Sequence, residues 1–165
     1  MPYGTDEGFT AWLAGQGLSL PVGAPAVAVL RQIGSSYVDA AYGARLACSR
    51  KTGGFTQELQ WPRTSHIIGG EPVPDDFIPK AWIEASYRAG YLTAVSPGWA
   101  TTGSDANRVT RKEQVDVISR EFFAPGEFPG ASSAPGMASD SIVNGLVLPW
   151  LCSGVRRMDA LFRVI

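Results

Sequence analysis

His66 is the single histidine in the 165-residue chain. A metal centre needs several converging ligands, and no cysteine pair lies beside His66 in sequence. The residue therefore reads as a structural or surface histidine, and no metal or cofactor is expected. Cys48 and Cys152 are far apart and outside any C-x-x-C spacing. They read as reduced, partly buried thiols, with no signal in the spacing for a disulfide between them. A Ser–His–Asp arrangement would have to use His66, yet no G-x-S-x-G elbow occurs. Gly34-Ser35-Ser36 falls inside a helical stretch. No G-x-G-x-x-G or P-loop pattern is present to cradle a phosphate. The densest carboxylate pairs are Asp6-Glu7 and Asp75-Asp76. Both stand at predicted helix starts, where acid caps the helix and offsets its dipole. No catalytic residues emerge, and the chain is not expected to be an enzyme.

Two stretches suit a nucleic-acid strand. One joins Arg45, Arg50 and Lys51 to Phe55, Trp61 and Arg63, and basic residues interleaved with aromatics hold single strands by stacking and phosphate contact. The other carries Arg108, Arg111, Lys112 and Arg120. Glu58, Glu113, Asp116 and Glu121 dilute both, which favours reading them as a solvated face or a protein interface over a DNA contact. With 14 basic and 15 acidic residues, a net charge of −1 gives no global electrostatic grip on nucleic acid. The Trp61-Pro62 pair also reads as a core plug that fixes its loop against a helix bundle. Arg63 would then reach a neighbouring subunit, or Asp75 or Asp76.

The elements that must position these residues are mainly helical. A first helix spans 5–14, capped by Thr5, with Phe9, Trp12 and Leu13 on one face. A second spans about 26–42, with a stripe of Ala26, Leu30, Ile33, Tyr37 and Ala40/Ala41, and Gly43 as its stop. Gly34 weakens this helix unless it permits close packing against a neighbour. Residues 44–76 form a long loop with short strands such as 59–61. A third helix follows Asp75-Asp76, with Pro79 in its first turn and Ile78, Trp82, Ala85, Ala89 and Leu92 repeating along it. Residues 107–122 alternate like a hairpin turning near 113–116. Residues 124–139 form a Pro/Gly/Ser/Ala linker. A last helix spans 141–148, capped by Ser139 or Asp140. The tail mixes Arg156, Arg157 and Arg163 with Met158, Leu161 and Phe162. Nineteen Gly and twelve Pro gather between these elements. The N-terminus carries no signal-peptide pattern, and no apolar run is long enough to span a bilayer.

The expected architecture is a small bundle of three to four helices with a β-hairpin, long loops and a C-terminal arm. It divides into a core domain, 1–123, and a linker, short helix and arm, 124–165.

Three stretches carry a resemblance: Tyr37-Val38-Asp39-Ala40-Ala41-Tyr42-Gly43, Gln57-Glu58-Leu59-Gln60-Trp61-Pro62-Arg63, and Val73-Pro74-Asp75-Asp76-Phe77-Ile78-Pro79 with the helix after it. They resemble the head–tail connector (adaptor or head-completion) proteins of tailed bacteriophages. Part of that group carries the label DnaT-like single-stranded-DNA-binding protein. The resemblance implies a virion structural protein of the phage neck, made in the host cytoplasm. It would form a ring, typically of twelve copies, under the portal. The ring would extend the DNA channel and dock a neck or tail protein, with genomic DNA passing through the lumen without sequence-specific binding and no membrane partner. Interface anchors are then expected at Trp61, Pro62, Arg63, Arg111, Lys112, Arg156, Arg157 and Phe162. The physical reading agrees, because three short helices and long loops cannot bury five Trp and twelve other aromatics in one isolated chain. The alternative is a replication accessory that binds single-stranded DNA.

Overall fold

A computed structural model describes residues 1–100 and 139–152, together with the backbone of two strands at 112–115 and 118–121. Helix α1 (Asp6–Gly15) begins where Thr5 accepts a hydrogen bond from Gly8 N at 3.0 Å. Its buried face is Phe9 and Leu13. Helix α2 (Val27–Tyr42) buries Leu30, Gly34, Tyr37, Val38, Ala41 and Tyr42. This face is rotated from the predicted stripe, since Ile33 is 38% exposed and Ala26 and Ala40 are exposed. The cause is the contact with the next helix, which centres on Gly34. Gly43 does not stop the chain in a left-handed turn. It keeps helical angles and leads into a 3-10 turn, Gly43–Leu46.

The loop that follows is ordered by two small ladders. Strand β1 (Arg50–Lys51) pairs antiparallel with β2 (Arg63–Thr64), and β3 (Ile67–Ile68) with β4 (Glu71–Pro72). The strand predicted at 59–61 does not form there, and β2 begins at Arg63. Between β1 and β2 lies a 3-10 turn, Gly54–Thr56, and the Trp61-Pro62 peptide bond is cis. Helix α3 (Lys80–Val95) buries Trp82, Ala85, Ser86, Tyr87, Ala89 and Gly90. Pro79 is its N-cap and no side chain caps it. The capping role expected of Asp75 and Asp76 is therefore not realised: both are exposed and lie before Pro79. Strands β5 (Lys112–Val115) and β6 (Ile118–Glu121) pair antiparallel as the expected hairpin, with Val115 opposite Ile118, so positions 113–115 lie in a strand rather than in the predicted turn. Helix α4 (Ser141–Val147) is capped by Asp140, which accepts from Ile142 N and Val143 N, each at 3.0 Å. The predicted linker, 124–139, lies outside the described residues except at its last position, and so does the tail after 152.

α2 and α3 form the central pair, with α1 across one end and α4 against α3. One core joins Tyr3, Val38, Tyr42, Leu46, Trp61, Trp82 and Ala89 to Val143, Val147 and Leu151. A second joins Phe9, Leu13, Leu30, Tyr87 and Ala94. Arg88 pairs with Asp140 at 3.2 Å, tying α3 to the cap of α4. The expectation of two free thiols is overturned: Cys48 and Cys152 form a disulfide, with Cα atoms 5.8 Å apart. Sequence spacing cannot register this pair, because α4 returns the chain to the start of the long loop across 104 positions.

Candidate functional site

The predicted basic–aromatic stretch divides into a buried half and an exposed half. Trp61 is 1% exposed and meets the rings of His66, Trp82 and Trp150 edge-on, with centroids 4.9–6.1 Å apart. It is the core plug, with Pro62 half-buried behind it. Arg63 is buried too, and bonds to neither Asp75 nor Asp76. Its Nε donates to Ser49 Oγ at 2.6 Å, and its terminal nitrogens donate to the carbonyl oxygens of Leu46, Ser49 and Gln60 and to Gln60 Oε1 at 2.6–3.0 Å. Burial lowers its pKa. Among the described residues no carboxylate pairs with it, so carbonyl oxygens of the loop and of the 3-10 turn stabilise its charge. The fork of five donors suits this task, because several acceptors converge on one plane.

Arg50, Lys51, Gly54 and Phe55 make the exposed half. They line an open concavity of about 580 Å³ at the corner where β1 runs into the 3-10 turn. Phe55 is fully exposed. Arg50 is exposed, and its guanidinium has no partner among the described residues. Lys51 Nζ donates to the carbonyl oxygens of Gln57 and Glu58 at 2.9 and 3.3 Å, which holds the ammonium at the edge of the corner. Gln57 braces the turn from inside: it accepts from Gly53 N at 2.8 Å and donates to Leu59 O and Pro62 O at 2.9 Å. A bare aromatic face beside two cations can stack a base and neutralise its phosphates.

Of the other predicted anchors, Arg111, Arg156, Arg157 and Phe162 lie outside the described residues. Lys112 opens β5 opposite Glu121, and its side chain is not described.

Three groups that the sequence reading passed over shape the loop. Asp39 Oδ1 accepts from Tyr3 Oη at 2.8 Å and Trp82 Nε1 at 3.1 Å, while Oδ2 accepts from Gln60 N at 2.9 Å. Burial nevertheless raises the Asp39 pKa. Tyr3, whose hydroxyl also accepts from Trp61 N at 3.1 Å, is raised by burial and by the Asp39 charge. Asp39 lies inside the Tyr37–Gly43 segment, so the one available signal was its place amid apolar helix positions. Ser49 is the third. Its Oγ lies 2.8 Å from His66 Nδ1, and His66 Nε2 lies 3.0 Å from Trp150 O. The pair has the spacing of a nucleophile and base, but Ser49 is 6% and His66 0% exposed. Substrate cannot reach the hydroxyl, and burial lowers the His66 pKa, which keeps the imidazole neutral. Cys48 Sγ, Cys152 Sγ and His66 complete a cluster whose ligand atoms all lie within 4.8 Å of one another. His66 therefore does have a cysteine pair beside it, in space rather than in sequence.

The molecule is thus a small helical bundle whose long loop is fixed from within and presents one basic–aromatic corner. A family model described as "Putative DnaT-like ssDNA binding protein" matches residues 3–163, and the chain belongs to that family. No curated protein and no solved structure matches it.

Proposed function

We propose that the protein binds single-stranded DNA, without sequence preference, at the corner formed by Arg50, Lys51 and Phe55. The observation that carries this reading is the fully exposed Phe55 ring on a braced turn beside Arg50 of β1, whose guanidinium has no partner among the described residues. Membership of a family described by single-stranded-DNA binding supports it. Stacking on one aromatic ring contributes about 1–3 kcal/mol. Two cations imply a slope of log K against log salt near −1.4, at about −0.7 per phosphate neutralised on a single strand. The test is a fluorescence titration with a labelled oligothymidine at two salt concentrations. Phe55→Ala should weaken binding about 5–150-fold by that stacking energy, and Arg50→Ala should flatten the salt slope by about 0.7. Wild-type binding that neither substitution changes would reject the corner.

A second reading, the phage neck ring, is favoured by a different observation. Val29 and Ile33 lie one turn apart on the outer face of α2, 48% and 38% exposed. Ile142 and Leu148 are similarly bare around α4. A ring of identical copies under a portal would cover such faces and leave the near-neutral lumen to passing DNA. Electron microscopy of the purified protein, alone and mixed with portal, tests this. Rings support it, and a monomer that ignores the portal and is absent from virions refutes it.

A further inference from the structure

We propose that Cys48, Cys152 and His66, once the disulfide is reduced, form a binding site for a thiophilic divalent cation of the zinc class. The three side chains come from separate places: Cys48 follows the 3-10 turn after α2, His66 lies between β2 and β3, and Cys152 follows α4. The fold nevertheless brings their ligand atoms within 4.8 Å of one another. His66 Nδ1 lies 3.9 Å from Cys48 Sγ. Its Nε2 donates to Trp150 O at 3.0 Å. That bond fixes the tautomer, with a lone pair on Nδ1 on the side of the sulfur atoms. A ring nitrogen held by a backbone carbonyl while the other faces the ion is how metal-binding imidazoles are oriented.

Two neighbouring contacts fit the same site. Cys48 N donates to Cys152 Sγ at 3.1 Å, a hydrogen bond that would stabilise a thiolate there. Ser49 Oγ donates to His66 Nδ1 in the oxidised protein, but Leu46 O is also in reach at 3.3 Å. Turning the hydroxyl to Leu46 frees the Nδ1 lone pair without orphaning the serine.

In a tetrahedral site with metal–sulfur bonds near 2.3 Å, the sulfur atoms stand about 3.8 Å apart. Cysteine Cα atoms 5.8 Å apart allow that opening by side-chain rotation. Two thiolates and a neutral imidazole are the donor set that zinc prefers, with water in the fourth position. The steps balance as follows. A dithiol reductant gives two electrons to the S–S bond and becomes a disulfide itself, while the cysteines take up two protons. The cation then displaces those two protons as two metal–sulfur bonds form. The link between the segment after α4 and the loop after α2 thus passes from a covalent bond to a metal, and the chain keeps one cross-link in either redox state.

The test uses the full chain, reduced with a phosphine, desalted without oxygen and titrated with Co²⁺ and then Zn²⁺. The expected result is one cobalt per reduced chain, with the visible bands of a tetrahedral site and sulfur-to-cobalt charge transfer. Zinc should bleach both. Oxidised protein should take up none. Cys152→Ser should abolish the charge transfer of the pair. His66→Asn should weaken binding by more than the roughly 10–100-fold that loss of a supporting partner costs. The comparison of oxidised with reduced wild type needs no variant, so a substitution that unfolds the chain does not decide the outcome. Reduced protein that takes up no cobalt, or cobalt bound equally by the oxidised chain, would overturn the proposal.

Discussion

Replacing Gly34 with alanine pits helix propensity against helix packing, and the two predict opposite signs. Alanine in a helix interior is better than glycine by about 1 kcal/mol. Yet a Cβ on Gly34 would lie 2.8 Å from Gly90 N and would press on the carbonyl oxygen of Ser86. A Cβ on Gly90 would lie 2.6 Å from Leu30 O. Ordinary contact begins at 3.4 Å, so Gly90→Ala requires α2 and α3 to part by roughly 0.8 Å. The obstacles are backbone atoms inside intact helices and cannot turn aside. Overpacking typically costs about 1–3 kcal/mol, and rigid neighbours put this site at the upper end. Net of propensity, Gly34→Ala should destabilise by about 2 kcal/mol, a fall of roughly 4–8 °C in melting temperature at this chain length. Gly145 in α4 is the control, because a Cβ there meets nothing within 4 Å. Gly145→Ala should be neutral or raise stability by up to about 1 kcal/mol. Thermal and urea unfolding followed by circular dichroism reads all three variants. A Gly34→Ala chain as stable as the wild type, or more so, would refute the close-approach reasoning.

Three further outcomes follow from buried polar groups. Burial raises the Asp39 pKa above its ordinary 3.8. The folded chain therefore holds that proton more tightly, and the resulting stability is fully present below pH 3.8 and is lost as pH rises through the folded value. Asp39→Asn should flatten that slope in melts across acidic pH, and lower stability by about 1–3 kcal/mol at neutral pH because an amide nitrogen would face donors. Arg63→Ala should cost about 3–5 kcal/mol in urea unfolding, since several carbonyl groups lose their donor at about 1–3 kcal/mol each. Arg63→Lys should fail to restore it, because an ammonium cannot reproduce the planar fork. Asp140→Ala should lose the α4 cap, worth about 1 kcal/mol, and leave Arg88 without its ion pair. Asp140→Asn should keep the cap and recover part of the loss in the same assay.

The sequence by itself determined the helices. Thr5 before α1, Asp140 before α4, and apolar spacing along α3 are local signals, because a cap and a helical face involve residues only a few positions apart. It also located the loop and offered the core plug as one reading of Trp61-Pro62, beside an interface anchor. Tertiary structure decided what those local signals cannot carry. Which face of α2 is buried depends on a backbone contact between Gly34 and α3, so the stripe turned away from Ile33. Arg63 and Phe55 look alike as members of one basic–aromatic stretch. Only the paths of the loop and the 3-10 turn set one among inward carbonyls and the other in solvent. The Cys48–Cys152 bond and its approach to His66 depend on the return of α4 to the start of the loop. Chain closure over such a distance leaves no periodicity in the residues between, which is why a local reading gives two free thiols and a lone histidine where the fold makes one cluster.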